Sequence, residues 1–180
     1  MVKKNSLKEN SDFLFFGLLI VLDEYRQYQT FIEDFLKKEI EVMRESYLSH
    51  ISQLHMLDIN SQSKILEQQS QKYTEIITTF PHNFRASFLI QIISLIESNL
   101  TELCEHYELT NKTKYSIHDL KGNSDIDKAK MYLTKSCEVD FNKLNPEWQF
   151  ITMARKLRNK LVHNNGLLNK SEKDWNAIEK

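Results

Sequence analysis

Glycine and proline are scarce in this chain of 180 residues, with counts of 3 and 2. Average usage is roughly 7% and 5%, so few positions stop a helix and few allow the tight turns of β-hairpins. The length suits one core of substantial size. We therefore predict an all-α fold, an up-and-down helical bundle with long N-terminal helices, built as a single domain over residues 1–180.

The chain also lacks an excess of charge of either sign, since it contains 24 Lys and Arg and 25 Asp and Glu. A near-neutral chain has no general surface for polyanions, so any RNA contact must be local. Cys104 and Cys137 lie far apart without the paired spacing of a zinc or redox motif. We expect two small buried thiols and a reducing, cytoplasmic location.

Long apolar runs and cofactor motifs are missing as well. The run Phe13 to Leu22 is too short to span a bilayer and is followed by acidic residues, so we interpret it as a buried helix face and predict no membrane association. His50 and His55 are five apart, not the three or four that place two metal ligands on one helical face. With no glycine-rich phosphate loop, we predict neither metal nor cofactor.

Apolar residues spaced three and four apart predict two or three long helices over the first 80 residues, with a joint near Asp58 to Ser61. Pro81-His82-Asn83 predicts a break, followed by a central core helix over Phe84 to Tyr107.

Two further helices are predicted after that core helix. Ser124 and Asp127 resemble a capping box that opens a helix reaching roughly Cys137. After Pro146, a helix over Glu147 to His163 should stop at Asn164-Asn165-Gly166. Ser171 and Asp174 suggest a short final helix.

Arg158 is out of place on the predicted helix Glu147 to His163. At 100° per residue it lies inside the apolar arc, between Ala154 and Val162. A guanidinium is costly there unless an acid receives it. Glu97 is the carboxylate among the apolar residues of the core helix, so we predict an ion pair between Glu97 and Arg158.

His163 follows Arg158 by five residues, so a straight helix separates the two side chains by about 140°. Asn159 and His163 lie one turn apart on the polar side. One helix cannot direct Arg158 and His163 at one substrate atom. A second copy related by a two-fold axis could complete the arrangement, so an active site here requires a homodimer.

The segment Arg158-Asn159-Lys160-Leu161-Val162-His163 resembles the R-x-x-x-x-H signature of HEPN domains. The polar residue after Arg158 and the Asn and Gly after His163 are similar too. Blocks upstream of this segment are similar to HEPN domains in residue type and order; they are Ile93 to Leu100, Asp119 to Gly122, Ala129 to Leu133, and Trp148. The resemblance therefore covers about residues 84–168.

The resemblance implies a dimeric helical bundle that cleaves RNA without a metal ion, commonly as a toxin or in defence against phage. It implies that Arg158 and His163 act on the scissile phosphate, Arg158 holding it and His163 acting as general acid or base, while Asn159 orients an oxygen. A cognate antitoxin or another regulatory protein is the expected partner. Three cations add the local positive charge that phosphate contacts need: Arg155, Lys156 and Lys160.

Three interpretations stay open at this point. The chain is a homodimeric endoribonuclease, a non-catalytic dimeric module that binds RNA, a nucleotide or a protein, or a helical adaptor that docks a partner through its N-terminal helices. Without catalysis, Arg158 is a core ion pair with Glu97 and His163 a residue favoured by the helix dipole. Asn159 is then an ordinary surface residue, and Trp148 and Trp175 are core anchors.

Overall fold

The computed structural model describes residues 2–54, 58–111 and 113–163. Every regular element in these ranges is helical, which confirms the prediction of an all-α fold. A π-helical turn at Glu75–Thr79 and a 3₁₀ turn at Ile117–Asp119 accompany five α-helices. These are α1 (Val2–Gln53), α2 (Ile59–Thr74), α3 (Phe80–Asn111), α4 (Asp125–Ser136) and α5 (Asn145–His163). The predicted stop at Asn164 to Gly166 and the short final helix lie outside the described residues.

The chain divides into two compact units, and both boundaries fall inside helices. Residues Leu19–Ser87 form the first, which we call the hairpin unit. The second, the site unit, comprises Met1–Leu18 with Phe88–Lys180. The single domain over 1–180 stays a prediction. In the part of the chain that the structure describes, no helix combines the length and the apolar character needed to cross a membrane.

The hairpin unit consists of two antiparallel helical segments. Tyr47 stacks on Tyr73 with ring centroids 4.9 Å apart, while nearer the open end Glu33 accepts two hydrogen bonds from Arg85, each 2.8 Å long. The predicted joint is confirmed, because Asp58 caps α2 by accepting a hydrogen bond from the Ser61 N–H at 3.0 Å.

The predicted break at Pro81 to Asn83 is wrong, because α3 already begins at Phe80 and continues through Pro81. Proline lacks an N–H and fits the first turn of a helix. A π-helical turn comes just before α3. Its hydrogen bonds span five residues, and the Phe80 N–H donates to the Glu75 carbonyl. The chain therefore stays helical from Ile59 to Asn111, and only its hydrogen-bonding pattern changes at the π-helical turn.

The core of the site unit lies between α3, α4 and α5. Cys104 of α3 and Ala129 of α4 are fully buried in it, as is the side chain of Tyr132, whose hydroxyl lies 3.0 Å from the Thr113 Oγ1. Burial raises the pKa of the Cys104 thiol to about 12, with smaller contributions from Cys137 and Glu105. The prediction of a buried thiol is confirmed for Cys104, while Cys137 is half-buried at the edge of the core.

Both ends of α4 have identifiable caps. Ser124 accepts a hydrogen bond from the Asp127 N–H at 3.1 Å, which confirms the predicted helix start. At the other end Glu138 adopts a φ of 55°, the left-handed conformation that usually favours glycine. The Val139 N–H then donates to the Leu133 carbonyl at 3.1 Å and closes the helix.

Candidate functional site

Helix α5 carries the predicted site residues, and an aromatic cluster fixes its N-terminal half. Trp148 is buried, and the ring of Phe141 meets it edge to face with centroids 4.8 Å apart. The Lys130 ammonium of α4 lies 5.3 Å from both ring centroids. The prediction of Trp148 as a core anchor is confirmed. Its aromatic neighbour was not predicted, although Phe141 lies only seven residues earlier.

Arg158 is held by the acid that the sequence indicated. Its Nη2 donates to Glu97 Oε2 at 2.5 Å, which joins α5 to α3 and confirms the predicted contact. The two side chains are 21% and 22% exposed, so water screens this pair far less than a surface pair. Among the described residues the Arg158 Nε is buried and has no hydrogen-bond partner. Glu97 uses one carboxylate oxygen, and the guanidinium retains further N–H groups on its terminal nitrogens.

Arg155 forms a second ion pair, which the sequence did not indicate. Its Nη1 donates to Asp127 Oδ2 at 3.0 Å and joins α5 to α4. The same carboxylate oxygen accepts a hydrogen bond from the Ser124 hydroxyl at 2.8 Å. Ser124 and Asp127 were recognised as a helix cap, but nothing in their spacing pointed to a partner 28 residues away.

The remaining predicted site residues differ in exposure. Asn159 and His163 are exposed, one helical turn apart on the side facing away from the core. Lys156 is also exposed, whereas Lys160 is half-buried. The sequence assigned Arg155, Lys156 and Lys160 to RNA binding as one group. The structure separates them, since the Arg155 side chain is only 14% exposed and already paired with Asp127.

Helix α5 remains regular through Arg158 to His163, the last described residue. The two side chains therefore leave the helix about 140° apart, and Arg155 lies on the arc between them. Arg158 is directed toward α3, whereas His163 lies at the exposed end of α5. One copy of the chain does not direct both groups at one point, since the ion-paired guanidinium lies on one side of the helix and the exposed imidazole on the other.

Within the described ranges, no group of three or more His, Cys, Asp or Glu side chains is placed to hold a metal ion. Comparison with protein-family models, with curated proteins and with solved structures finds no match.

Proposed function

We infer that this chain is a HEPN-type endoribonuclease that cleaves RNA without a metal ion and acts as a toxin or phage-defence effector. The observation that carries the proposal is the Arg158 to Glu97 ion pair, since it holds a guanidinium at the surface of the core, five residues before an exposed His163. In this proposal, residues 84–168 are a HEPN-like bundle, and the R-x-x-x-x-H segment is its active site.

The proposed reaction uses the substrate's own 2'-hydroxyl as nucleophile. The hydroxyl loses its proton, its oxygen bonds to the adjacent phosphorus, and the bond from phosphorus to the 5'-oxygen breaks. The leaving 5'-oxygen takes up a proton, so the products are a 2',3'-cyclic phosphate and a 5'-hydroxyl, and no oxidant is needed. His163 transfers a proton in this sequence, and Arg158 stabilises charge on the phosphate oxygens through N–H groups that Glu97 leaves available.

Glu97 has a defined task in this mechanism. A guanidinium that is free to rotate loses side-chain entropy whenever it binds a phosphate, whereas Arg158 is already oriented by its carboxylate partner. Arg158 keeps its positive charge in the pair, but Glu97 balances that charge, so a phosphate must compete with Glu97 for the guanidinium. Replacing Glu97 should therefore impair the orientation of Arg158 more than its charge.

A homodimer is part of the proposal because of the angle between the two groups. With about 140° between Arg158 and His163 on a regular helix, a shared cleft needs α5 from two copies. An exposed apolar residue on the same helix is available for such an interface, since the Phe150 side chain is 68% exposed. An antitoxin or other regulatory protein is the proposed further partner.

The test is incubation of purified protein with total cellular RNA in EDTA, with fragment ends analysed for 2',3'-cyclic phosphate. We expect cleavage by wild type and its loss in His163→Ala. The matched control is His82→Ala, which removes another exposed histidine from a helix and should leave cleavage intact. A requirement for magnesium, or full activity in His163→Ala, would contradict the proposal.

A non-catalytic, dimeric, HEPN-like binding or regulatory module is the second candidate. The observation in its favour is the same ion pair, because a largely buried arginine satisfied by a glutamate is also what a structural role requires. This candidate predicts a folded dimer that leaves RNA intact and causes no growth arrest when expressed. RNA that remains intact with wild type and with both histidine variants would favour it.

A further inference from the structure

Two ion pairs fix α5 to two different neighbouring helices. Arg158 reaches Glu97 on α3, and Arg155, one turn earlier, reaches Asp127 on α4. The Arg155 side chain is the less exposed of the two arginines, 14% against 21%. Its Nε, like that of Arg158, is buried without a hydrogen-bond partner among the described residues. With 14% of its side chain exposed, Arg155 offers a phosphate less surface than Arg158 does.

Arg155 has a special position around the helix axis. Counting 100° per residue, Arg158 lies about 60° to one side of it, and Asn159 and His163 lie about 40° and 80° to the other. Any rotation of α5 about its axis changes the directions of Arg158 and His163 together. Asp127 is one of the two carboxylates that resist such a rotation, and it is itself held by the Ser124 hydroxyl at 2.8 Å.

We propose that Arg155 is a positioning residue and not an RNA ligand: through its ion pair with Asp127 it sets the rotation of α5 and the directions in which Arg158 and His163 are presented. The catalytic part of this inference rests on the proposed ribonuclease function, whereas the positioning part does not. Asp127 becomes a residue on which activity depends although it touches no substrate.

The positioning part is tested without RNA, by NMR of the arginine Nε–H signals in the full-length protein. Both Nε atoms are buried, so their protons should exchange slowly enough to be seen. We expect Asp127→Asn to shift the signals of both Arg155 and Arg158. The matched control is Asp125→Asn, two residues earlier on α4, where the carboxylate pairs with Lys128 at 3.0 Å and is 63% exposed. An Arg158 signal that stays in place in Asp127→Asn would overturn the inference.

The catalytic part is tested by cleavage kinetics. We expect Asp127→Asn to lower kcat by about 10- to 100-fold with KM unchanged, because a displaced catalytic group slows the chemical step. Asp127→Glu, which keeps the negative charge, should restore part of the rate, and Asp125→Asn should match wild type. A raised KM with unchanged kcat in Asp127→Asn would overturn the inference.

Binding measurements distinguish a positioning residue from an RNA ligand. In the His163→Ala background, Arg155→Met should leave the salt dependence of RNA binding unchanged, since Arg155 makes no phosphate contact of its own. Lys156→Ala is the matched comparison at an exposed neighbour, and its salt slope should fall by about 0.7 to 1. An equal fall in Arg155→Met would make Arg155 an RNA ligand. If wild type does not cleave RNA, the proposed function fails while the NMR result still decides the positioning part.

Discussion

The two units of the chain use their apolar residues differently. In the described part of the site unit, nine residues are buried and five of them form one cluster; the nine are Ile93, Cys104, Ile117, Ile126, Ala129, Tyr132, Leu133, Trp148 and Leu161. In the described part of the hairpin unit, the buried residues are Leu36 and Pro81. Large apolar side chains remain exposed there, among them Phe31 at 69% and Val42 at 60%.

The difference follows from the number of helices that can surround a side chain. Two antiparallel helices cover one stripe of each other and leave the remaining surface to water. In the site unit, ion pairs link α5 to both α3 and α4, and a side chain such as Ile126 is fully buried. The packing that can fix the side chains of α5 is therefore available in the site unit and not in the hairpin unit.

Truncating a core residue should give the largest effect. Ile126→Ala removes a side chain that is 0% exposed, so we expect the free energy of unfolding to fall by about 2–5 kcal/mol. Phe31→Ala in the hairpin unit removes a larger side chain that is 69% exposed and should change it by less than about 0.5 kcal/mol. Urea unfolding measures both. Equal losses would mean that Phe31 is covered in solution.

Two arginine–glutamate pairs should differ in coupling energy although their chemistry is the same. Arg85 and Glu33 are joined by two hydrogen bonds, but the arginine is 62% exposed, and we expect coupling below about 1 kcal/mol. Arg158 and Glu97 share one hydrogen bond at 21% and 22% exposure, and we expect about 1–3 kcal/mol. Double-mutant cycles with Arg→Met and Glu→Gln measure each value. Stronger coupling in the Arg85 pair would show that bidentate geometry outweighs burial.

Alkaline pH should destabilise the site unit through Cys104. The thiol ionises near pH 9 when unfolded but at about 12 in the folded protein, because burial raises its pKa. Between these values the folded state retains a proton that the unfolded state loses, so stability falls as pH rises, by up to about 1.4 kcal/mol per unit. Urea unfolding at pH 8, 9 and 10 should show this slope, and Cys104→Ala should reduce it. An unchanged slope in that variant would mean that Cys104 is not the group responsible for the loss.

Removing helix caps should give the smallest effects. Ser124→Ala on α4 deletes an acceptor for the Asp127 N–H and a donor to the Asp127 carboxylate, so we expect a loss of about 1 kcal/mol. Ser124→Thr keeps both interactions and serves as the control. Asp58→Ala removes the exposed cap of α2, and we expect a smaller loss. Thermal unfolding of the three variants ranks them, and a larger loss for Asp58→Ala would contradict the contrast between the units.

Sequence patterns were sufficient where the cause of a structure is local. The all-α class, the joint before α2 and the start of α4 were predicted, because helix caps and scarce glycine act over a few residues. The ion pair between Glu97 and Arg158 was predictable for another reason. Each is a charged residue on an otherwise apolar face, and burial leaves such residues few possible partners.

Features that depend on tertiary context were missed. Arg155 looked like one more cation of a basic segment, and its partner Asp127 comes from a different helix. Glu138 takes a left-handed conformation that sequence patterns assign to glycine, because the end of α4 and its closing hydrogen bond require it. The predicted apolar arc of α5 includes Val162, yet the structure leaves Val162 exposed. Periodicity identifies a face but not whether a neighbour covers it.

The π-helical turn at Glu75–Thr79 changes how residues must be counted along this part of the chain. A turn closed by i to i+5 bonds contains one more residue than an α-helical turn, so the residues after it are out of phase by roughly 100° with those before. A row of side chains that is continued from α2 into α3 in steps of three and four residues will therefore not stay on one face of the helix.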